Sequence, residues 1–592
     1  MALVALVGMV AGCGKAADAA EAEGHGSDDS AGDPKGVPGI SFPPIGERPP
    51  YNPDDLKPTV APRGDIGGSG ATSAAPSPAS TRGSTLALAS QGAGTEAAPA
   101  HPKAKKQTRP SVAPSGGLSR AVEGVILSAV RGASKKSKGK LKSGQAVVAV
   151  MVQDLRSGEV LVNRLGERPL MPASNLKVLT AAAALLGLGP DARFETRFEA
   201  SGTVANGRLD GTLVVRAGAD PMHEREGNGS LDRWLDPLAE DLKKAGIRKV
   251  KGPLVLDTSG FEKPGPAAEW PAASAHWQDY CALSGGFNAN GGVFRVTVEP
   301  RGGRAKVTLR PRHHGLKRRG SVSVKGKKND LRVGANAGGV TVGGSVPAKM
   351  AEFVTEFRHP DPIQLFGESI LGGLEARGIQ FEERTFVQGT GGAGPMRLLH
   401  TMSSPVTSVL DAVLLDSNNA VTDQLFLLVG HRLGGGGTRA KAAAAIRKVL
   451  EKAGVDTSEL RQADGSGLSK ANRLTASCLV QTLSALSRTP MAIRRAFYSS
   501  MPLAGSSGSL KNRMKGTAAE GFVIAKTGWV SGASSLSGYV LGSDGRPAIA
   551  FSIIVGYPRI GGLNTSSWKP MQDEICALLA NEVSARKAGT VR

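Results

Sequence analysis

A long, largely apolar helix most constrains how this chain can fold. Residues 176–186, LKVLTAAAALL, are mainly Ala and Leu and include neither Gly nor Pro. A helix this uniformly apolar has to be covered by other elements all round, so the chain must build a large core about it. The residues at its start are nevertheless polar: Ser174 and Asn175 precede the apolar run, and Lys177 lies in its first turn.

The first part of the chain has a different composition. Residues 14–116 are dominated by Ala, Gly, Ser, Pro, Lys and Glu. Such a segment cannot bury enough apolar surface to offset the entropy of ordering it, so we predict a disordered tether. The 476 residues that follow it are enough for a large core and for more than one domain.

The N-terminus is typical of an export signal. Residues 2–11, ALVALVGMVA, are apolar but too short to span a bilayer as a helix, and they resemble the apolar region of a secretory signal peptide. They lead into VAGC, which resembles a bacterial lipobox and predicts lipidation of Cys13. No Lys or Arg precedes the apolar run, and an ordinary cleaved signal remains the alternative.

The net charge of +22 raises the question of an anionic partner. Aromatic residues make up only 4% of the chain and no nucleic-acid-binding motif is present, so no nucleic-acid partner is predicted. The basic residues are dense in places, including 301–328. A solvated basic surface is the favoured interpretation, and attraction to an anionic polymer is the other.

Metal and cofactor chemistry is not indicated by the sequence. Cys281, Cys478 and Cys576 are far apart and show no CxxC spacing. The nine histidines also lack metal-ligand spacing. We therefore predict no metal and no cofactor, and expect buried single thiols, although a disulfide among the three cysteines stays open.

Strand patterns lie at both ends of the ordered chain. A helix is predicted over about 118–130, followed by a hairpin of QAVVAVMVQDL and EVLVNRL. The C-terminal part holds three strands, GFVIAKTGWV, SSLSGYVLG and PAIAFSIIVGY, and then an amphipathic helix over about 569–587. These patterns predict one antiparallel sheet assembled from both ends, with the helical middle packed on it: an α+β core.

The middle of the chain has the pattern of an insertion. Residues 198–393 alternate strand-like runs with Gly-rich turns and contain one clear helix, at 361–378. We predict a largely β, inserted block there. Helices are predicted again at 407–433 and 440–453.

Three short motifs carry residues that suit catalysis. Ser174 and Lys177 share a helix face, and a serine nucleophile needs a base to take its proton; alone, this pattern is weak, because Ser is an ordinary N-cap. Between helical runs, Ser417-Asn418-Asn419 could present a second hydroxyl and an amide. A cation and a glycine are unexpected in an apolar strand, yet Lys526-Thr527-Gly528 lies in one, where Gly528 would let a substrate backbone approach.

In this order, S-x-x-K, S-x-N and K-T-G resemble the signature of the penicillin-recognising serine enzymes. Two features are similar to the class C low-molecular-mass penicillin-binding proteins, the D-alanyl-D-alanine carboxypeptidase/endopeptidase family. One is the long interval of 243 residues from Ser174 to Ser417. The other is the set of stretches AGADPM, DGSGLSKANRLTA and KTGWVSGASSLSGYV. The resemblance implies a β-lactamase-like transpeptidase core formed by 117–197 and 394–592, with 198–393 inserted.

The resemblance also implies a function: a serine-type hydrolase of peptidoglycan stem peptides or cross-links, inhibited by β-lactams, in the periplasm or cell envelope. The resemblance implies that Ser174 is the nucleophile, Lys177 the base and Ser417 a proton relay. It implies that Asn419 orients Lys177 and the substrate, and that Lys526 and Thr527 bind the substrate. It also implies that the backbone N–H groups of Ser174 and Trp529 form the oxyanion hole.

Trp529 is a departure from the family pattern, which usually has Ser or Thr there to help hold the substrate's terminal carboxylate. We therefore expect the substrate preference to differ from that of the family more than the acylation step does. Two other functions are alternatives: a catalytically vestigial, peptidoglycan-binding lipoprotein, and a β-lactamase, for which no deacylating carboxylate is identifiable.

Overall fold

The computed structural model describes residues 116–221, 232–391 and 395–589; Cys13 and the predicted tether up to residue 115 lie outside them. The α-helices in these residues are α1 Gly116–Lys136, α2 Leu176–Gly187, α3 Asp232–Lys244, α4 Pro362–Glu375, α5 Asn419–Leu433, α6 Arg439–Lys452, α7 Ala476–Ser487, α8 Met491–Ser499 and α9 Lys569–Gly589.

The strands in the same residues are β1 Val147–Asp154, β2 Val160–Arg164, β3 Arg193–Ala205, β4 Arg208–Arg216, β5 Lys249–Val250, β6 Leu254–Asp257, β7 Val293–Glu299, β8 Lys306–Arg310, β9 Arg318–Arg319, β10 Ser323–Val324, β11 Arg332–Asn336, β12 Gly339–Gly343, β13 Ser345–Val346, β14 Phe353–Arg358, β15 Gln380–Phe381, β16 Phe386–Gln388, β17 Met396–Pro405, β18 Val523–Val530, β19 Ala533–Leu541 and β20 Pro547–Gly556.

The two ends of the described chain meet in one five-stranded antiparallel sheet, in the order β18-β19-β20-β1-β2. The strand β1 pairs with β20 over its whole length, with Val148 opposite Val555. This pairing confirms the predicted α+β core built from both ends. The strand β18 lies at one edge of the sheet, and the segment 502–504 pairs with its outer side as far as Ala525. The K-T-G end of the strand, beyond Ala525, is left for a ligand.

Both faces of this sheet are buried, which explains why its strands are almost continuously apolar. One face packs against α2, α5, α6 and α7, and the other packs against α1 and α9. The helix α2 lies within the first of these cores, and its residues from Leu176 to Leu185 are all buried. The prediction drawn from its all-apolar sequence therefore holds.

The chain leaves the core through a second, mixed sheet. The strands β17, β3 and β4 pair antiparallel, and β5, β6, β15 and β16 extend the sheet in parallel pairs. The predicted boundary at 198 falls inside β3, and the one at 393 falls just before β17. The division into domains at these residues stays a prediction.

The inserted block contains more helix than its strand-rich sequence suggested. Besides the predicted helix, which is α4, the helix α3 packs on the second sheet through Leu235, Leu238 and Leu242. These positions follow helical spacing, although Pro237 lies inside the helix and has no N–H to donate to it. The buried apolar face outweighs that cost.

A smaller β module is nested within the inserted block. It runs over 293–358 and comprises the three-stranded sheets β14-β7-β8 and β11-β12-β9 and the pair β10-β13. Valines and Phe294 from these strands form a separate hydrophobic core. Elsewhere, Cys281, Cys478 and Cys576 are buried free thiols. Of the helices in the described part of the chain, none has the length and apolar run needed to cross a bilayer.

Candidate active site

Ser174 lies in a short 3₁₀ turn, Ala173–Asn175, that leads directly into α2. The residue before it, Ala173, has a φ of +48°, which costs a residue with a side chain about 1–2 kcal/mol. Such strain persists only where the surroundings fix it. Here Gly467 packs against the turn so closely that a Cβ on it would lie 1.9 Å from the Ala173 carbonyl oxygen.

Lys177 is fully buried one turn into the helix. Its Nζ lies 3.1 Å from Ser174 Oγ, 2.7 Å from Asn419 Oδ1 and 2.6 Å from the Ser466 carbonyl oxygen. The structure therefore brings the predicted Ser174, Lys177 and Asn419 together. The Ser466 carbonyl is a further partner of Lys177, and none of the three sequence motifs contains it.

Asn419 is placed by a break in the predicted helix at 407–433. A π-helical turn, Asp411–Leu415, ends before Ser417, and α5 begins at Asn419, with Asn418 as its N-cap. Ser417 has a φ of +60° and makes no hydrogen bond through its hydroxyl among the described residues. It lies two residues before Asn419 in the chain, and its place in the catalytic cluster stays a prediction.

The K-T-G strand packs against the turn that carries Ser174. The Asn175 side chain donates to the Lys526 carbonyl oxygen at 2.7 Å and accepts from the Ser537 backbone N–H at 3.2 Å. A Cβ on Gly528 would lie 2.3 Å from Ser535 Oγ and 2.9 Å from the Pro172 carbonyl oxygen. Gly528 thus lets the strand approach the Ser174 turn, and the room it would leave for a substrate backbone stays a prediction.

The other residues of this strand differ in exposure. Lys526 is fully buried, and its Nζ donates to the Thr527 carbonyl oxygen at 3.0 Å. Thr527 donates from its hydroxyl to Ser509 Oγ at 2.8 Å. Trp529, two residues further along the same face, is 45% exposed. Burial raises the pKa of the Tyr557 phenol, and a hydrogen bond with the Trp529 side chain opposes that shift.

The loop 464–472, part of the quoted stretch DGSGLSKANRLTA, holds the acceptor for Lys177. The buried Asp464 accepts from the N–H groups of Gly467 at 2.8 Å and Ser469 at 2.7 Å. Asp423, on α5, accepts from the Gly465 N–H at 2.8 Å and from Ser466 Oγ at 3.1 Å. Asp464 fixes the conformation of the loop itself, and Asp423 fixes the loop against α5.

Asp423 is the group in this cluster whose ionisation is most perturbed. Burial, and then repulsion from Asp464, raise its pKa to about 7. No motif pointed to Asp423, although its position four residues after Asn419, on the same helix face, was a usable signal.

The inserted block also reaches the site. The Tyr280 carbonyl oxygen accepts from Asn419 Nδ2 at 2.9 Å, and Trp270 Nε1 donates to Asp464 Oδ2 at 3.0 Å. Ser284 Oγ donates to the Ala420 carbonyl oxygen at 3.0 Å. The block that the sequence suggested to be accessory therefore forms one wall of the cluster, which sequence reasoning missed.

This geometry suits acyl transfer: a hydroxyl on a helix-leading turn, an amine within hydrogen-bond reach, and an edge strand alongside. Comparison with known proteins decides the family. The profile of the D-Ala-D-Ala carboxypeptidase 3 (S13) family matches residues 136–581. The chain belongs to this family. The predicted resemblance and enzyme class are confirmed: the protein is a serine D,D-peptidase.

Relatives of this serine peptidase agree with the assignment. It is 35% identical over 437 residues to a D-alanyl-D-alanine carboxypeptidase of Actinomadura sp. (strain R39), covering 69% of this chain and 77% of the relative. It is 26% identical over 433 residues to the carboxypeptidase DacB of Haemophilus influenzae, covering 69% and 85%.

A solved structure supports the fold. Penicillin-binding protein 4 (dacB) of Haemophilus influenzae aligns with a TM-score of 0.63 at 24% identity, covering 77% of this chain and 99% of that one. The same protein has also been solved in complex with a β-lactam. The α+β penicillin-binding fold is thereby confirmed. The family match and the relatives do not favour the vestigial and β-lactamase alternatives.

Proposed function

We propose that this peptidase cleaves peptidoglycan stem peptides, or the D,D-cross-links between them, through an acyl-enzyme on Ser174, and that β-lactams acylate the same hydroxyl. The observation that carries the proposal is the position of Lys177 Nζ, 3.1 Å from Ser174 Oγ and buried. A serine nucleophile needs a base at that distance.

The partners of Lys177 support its role as the base. The Asn419 Oδ1 atom and the Ser466 carbonyl oxygen can only accept, and they make the two shorter contacts, at 2.7 and 2.6 Å. A neutral amine has two N–H groups and one lone pair. With its N–H groups directed to these two oxygens, a neutral Lys177 can accept the Ser174 proton on its lone pair.

In the proposed reaction, Ser174 Oγ attacks the carbonyl of the penultimate D-alanine and Lys177 takes the hydroxyl proton. The backbone N–H groups of Ser174 and Trp529 stabilise the oxyanion. The C–N bond then breaks, and the leaving amine receives a proton relayed through Ser417. Water hydrolyses the resulting ester and releases Ser174.

The remaining motif residues are assigned to the substrate. Lys526 and Thr527 would bind its anionic or polar end, while Asn419 would bind a peptide amide and hold Lys177. Gly528 serves the site by letting the K-T-G strand approach the Ser174 turn.

The place of action follows from the substrate. Peptidoglycan lies outside the cytoplasmic membrane, so we propose that the protein is exported to the cell envelope and anchored by lipid on Cys13. Replacing Cys13 by Ala should release the protein from membranes in fractionated cells. Equal membrane retention of both proteins would exclude the lipid anchor.

Labelled penicillin tests the nucleophile directly. Ser174→Ala is expected to abolish covalent labelling, while Ser157→Ala, in the exposed turn between β1 and β2, should label like the wild type. Thermal unfolding of both variants checks that each is folded. Labelling of folded Ser174→Ala at the wild-type level would overturn the assignment.

A further inference from the structure

The nested β module over 293–358, named the basic module here, has a charge that catalysis does not explain. It contains 15 Lys and Arg against 4 Asp and Glu, a net charge of +11 and half of the +22 of the whole chain. Concentrated charge of one sign destabilises a compact unit through self-repulsion, so an unneutralised surface of this size calls for a partner.

Few of these cations are neutralised within the protein. Three arginines form ion pairs, Arg295 with Glu356, Arg301 with Glu299, and Arg332 with Asp330. Arg358 is buried beneath the Trp277 ring, 5.3 Å from its centroid. The other eleven are exposed and form no ion pair with any residue that the structure describes.

Backbone pairing concentrates part of this charge on two adjoining loops. Arg304 pairs with Ser323 as an isolated β-bridge, and the Val324 N–H donates to the Gly303 carbonyl oxygen at 3.0 Å. The exposed Arg304 therefore lies beside the loop that carries the exposed Lys325, Lys327 and Lys328. These four cations are named the 304–328 patch.

The surface chemistry of the module limits the kind of partner. Insertion into a bilayer uses an exposed apolar face, and Val354 is the one exposed large hydrophobic side chain of the module. Binding to single-stranded nucleic acid uses exposed rings for stacking, but Phe294, Phe353 and Phe357 all pack in the module's core. The basic module therefore offers its partner charge alone, which suits a flexible anionic polymer.

We propose that the basic module binds a linear anionic polymer of the cell wall, and so holds the peptidase beside its substrate. The family activity supplies the location, because the substrate is part of the wall. The proposal does not depend on which residue is the nucleophile.

The connection between module and site fits this role. The last strand of the module, β14, joins the segment that lines the site: Phe357 pairs with Gln278 as a β-bridge, and the Arg358 N–H donates to the Trp277 carbonyl oxygen at 3.1 Å. Two residues after Gln278, the Tyr280 carbonyl contacts Asn419. A polymer bound to the module is thus tied through a short segment to the catalytic cluster.

Sedimentation with purified walls tests the proposal. Full-length protein is mixed, at near-physiological salt, with walls that retain their covalently attached anionic polymer and with walls stripped of it. The test variant combines Arg304→Gln, Lys325→Gln, Lys327→Gln and Lys328→Gln. The control variant removes four exposed cations in the last turn of α1 and just after it, through Lys135→Gln, Lys136→Gln, Lys138→Gln and Lys140→Gln.

We expect the wild type and the control to bind intact walls about tenfold more tightly than stripped walls, with affinity falling as salt rises. The test variant should lose most of this difference while hydrolysing a small soluble D-Ala-D-Ala peptide at the wild-type rate. Equal binding of test and control variants, or no effect of stripping, would overturn the proposal. Tighter binding of the wild type to duplex DNA than to intact walls would also overturn it, in favour of a nucleic-acid partner.

Discussion

Lys177 shows what a single residue contributes to this site. Its spacing from Ser174 was evident in the sequence, because residues at i and i+3 of a helix share a face. Its other two contacts, to residues 242 and 289 positions away along the chain, could not be read from local spacing. Those distant oxygens orient the Lys177 amine. The sequence therefore identifies the pair of Ser174 and Lys177, and the fold sets the orientation of the amine.

Trp529 yields the first prediction at this scale. A hydroxyl at this position would offer the substrate's terminal carboxylate a charge-assisted hydrogen bond, about 1.5–3 kcal/mol. Trp529→Thr is therefore expected to raise kcat/KM about tenfold or more for a peptide ending in free D-Ala-D-Ala. The same peptide with an amide terminus should change little. Parallel gains for both peptides would contradict the carboxylate explanation.

Asp423 yields a prediction of pH dependence. Burial and Asp464 raise its pKa to about 7, above the value in the unfolded chain, so its stabilising contribution is complete below about pH 4 and is lost as the pH rises through about 7. Asp423→Asn cannot ionise. We would measure the free energy of urea unfolding at about pH 5 and about pH 8. Between these two pH values it should fall further for the wild type than for the variant, by about 1 kcal/mol or more.

The control for this measurement is Asp544→Asn, in the exposed turn between β19 and β20. Its loss of stability across the same pH range should match that of the wild type. If Asp423→Asn followed the wild type as closely, another group would be responsible for the pH dependence.

At the scale of elements, the sequence predicted most of the core. The hairpin of β1 and β2, the three C-terminal strands and the closing helix all form where their patterns indicated, because sheets buried on both faces leave long apolar runs. The helix α3 was not predicted, and Pro237 lies inside it. The break before α5 was expected only as a short loop, since a π-helical turn has no distinctive sequence pattern.

The loop 464–472 gives a prediction for an element. At Gly467, φ is +82° and a Cβ would lie 1.9 Å from the Ala173 carbonyl oxygen. Gly467→Ala should therefore displace the Ser174 turn, slow penicillin acylation and lower the free energy of unfolding by more than the about 1–2 kcal/mol that a positive φ alone costs.

Gly454 provides a matched control, because its φ is also +82° and no atom lies within 4 Å of its Cβ position. Gly454→Ala should show the backbone cost and leave the acylation rate unchanged. Equal acylation rates in the two variants would mean that the loop does not hold the turn.

At the scale of the whole molecule, the inserted block belongs to the active site as much as to the surface. It supplies the Tyr280 carbonyl to Asn419 and the Trp270 indole to Asp464. These contacts link the catalytic cluster, through the segment 277–280, to the basic module. An enzyme built in this way couples wall contact and catalysis within one folded unit.

Trp270→Phe tests this coupling. It removes the hydrogen bond from Nε1 to the buried Asp464 carboxylate and should cost about 1–3 kcal/mol of stability, together with slower acylation by labelled penicillin. Trp568→Phe removes similar volume from the core between the sheet and the helices α1 and α9. The Trp568 Nε1 atom has no partner among the described residues. That variant should acylate at the wild-type rate. A Trp270→Phe protein that acylates equally fast would show that the insertion does not support the site.

The sequence by itself determined the order and chemistry of the three motifs, the strands that form the core sheet and the burial of α2, because each follows from local spacing and hydropathy. Only the tertiary structure decided which oxygens surround Lys177, that Gly528 admits the Ser174 turn and that the insertion reaches the site. Those contacts join residues far apart in the chain, and their geometry is set by how whole elements pack.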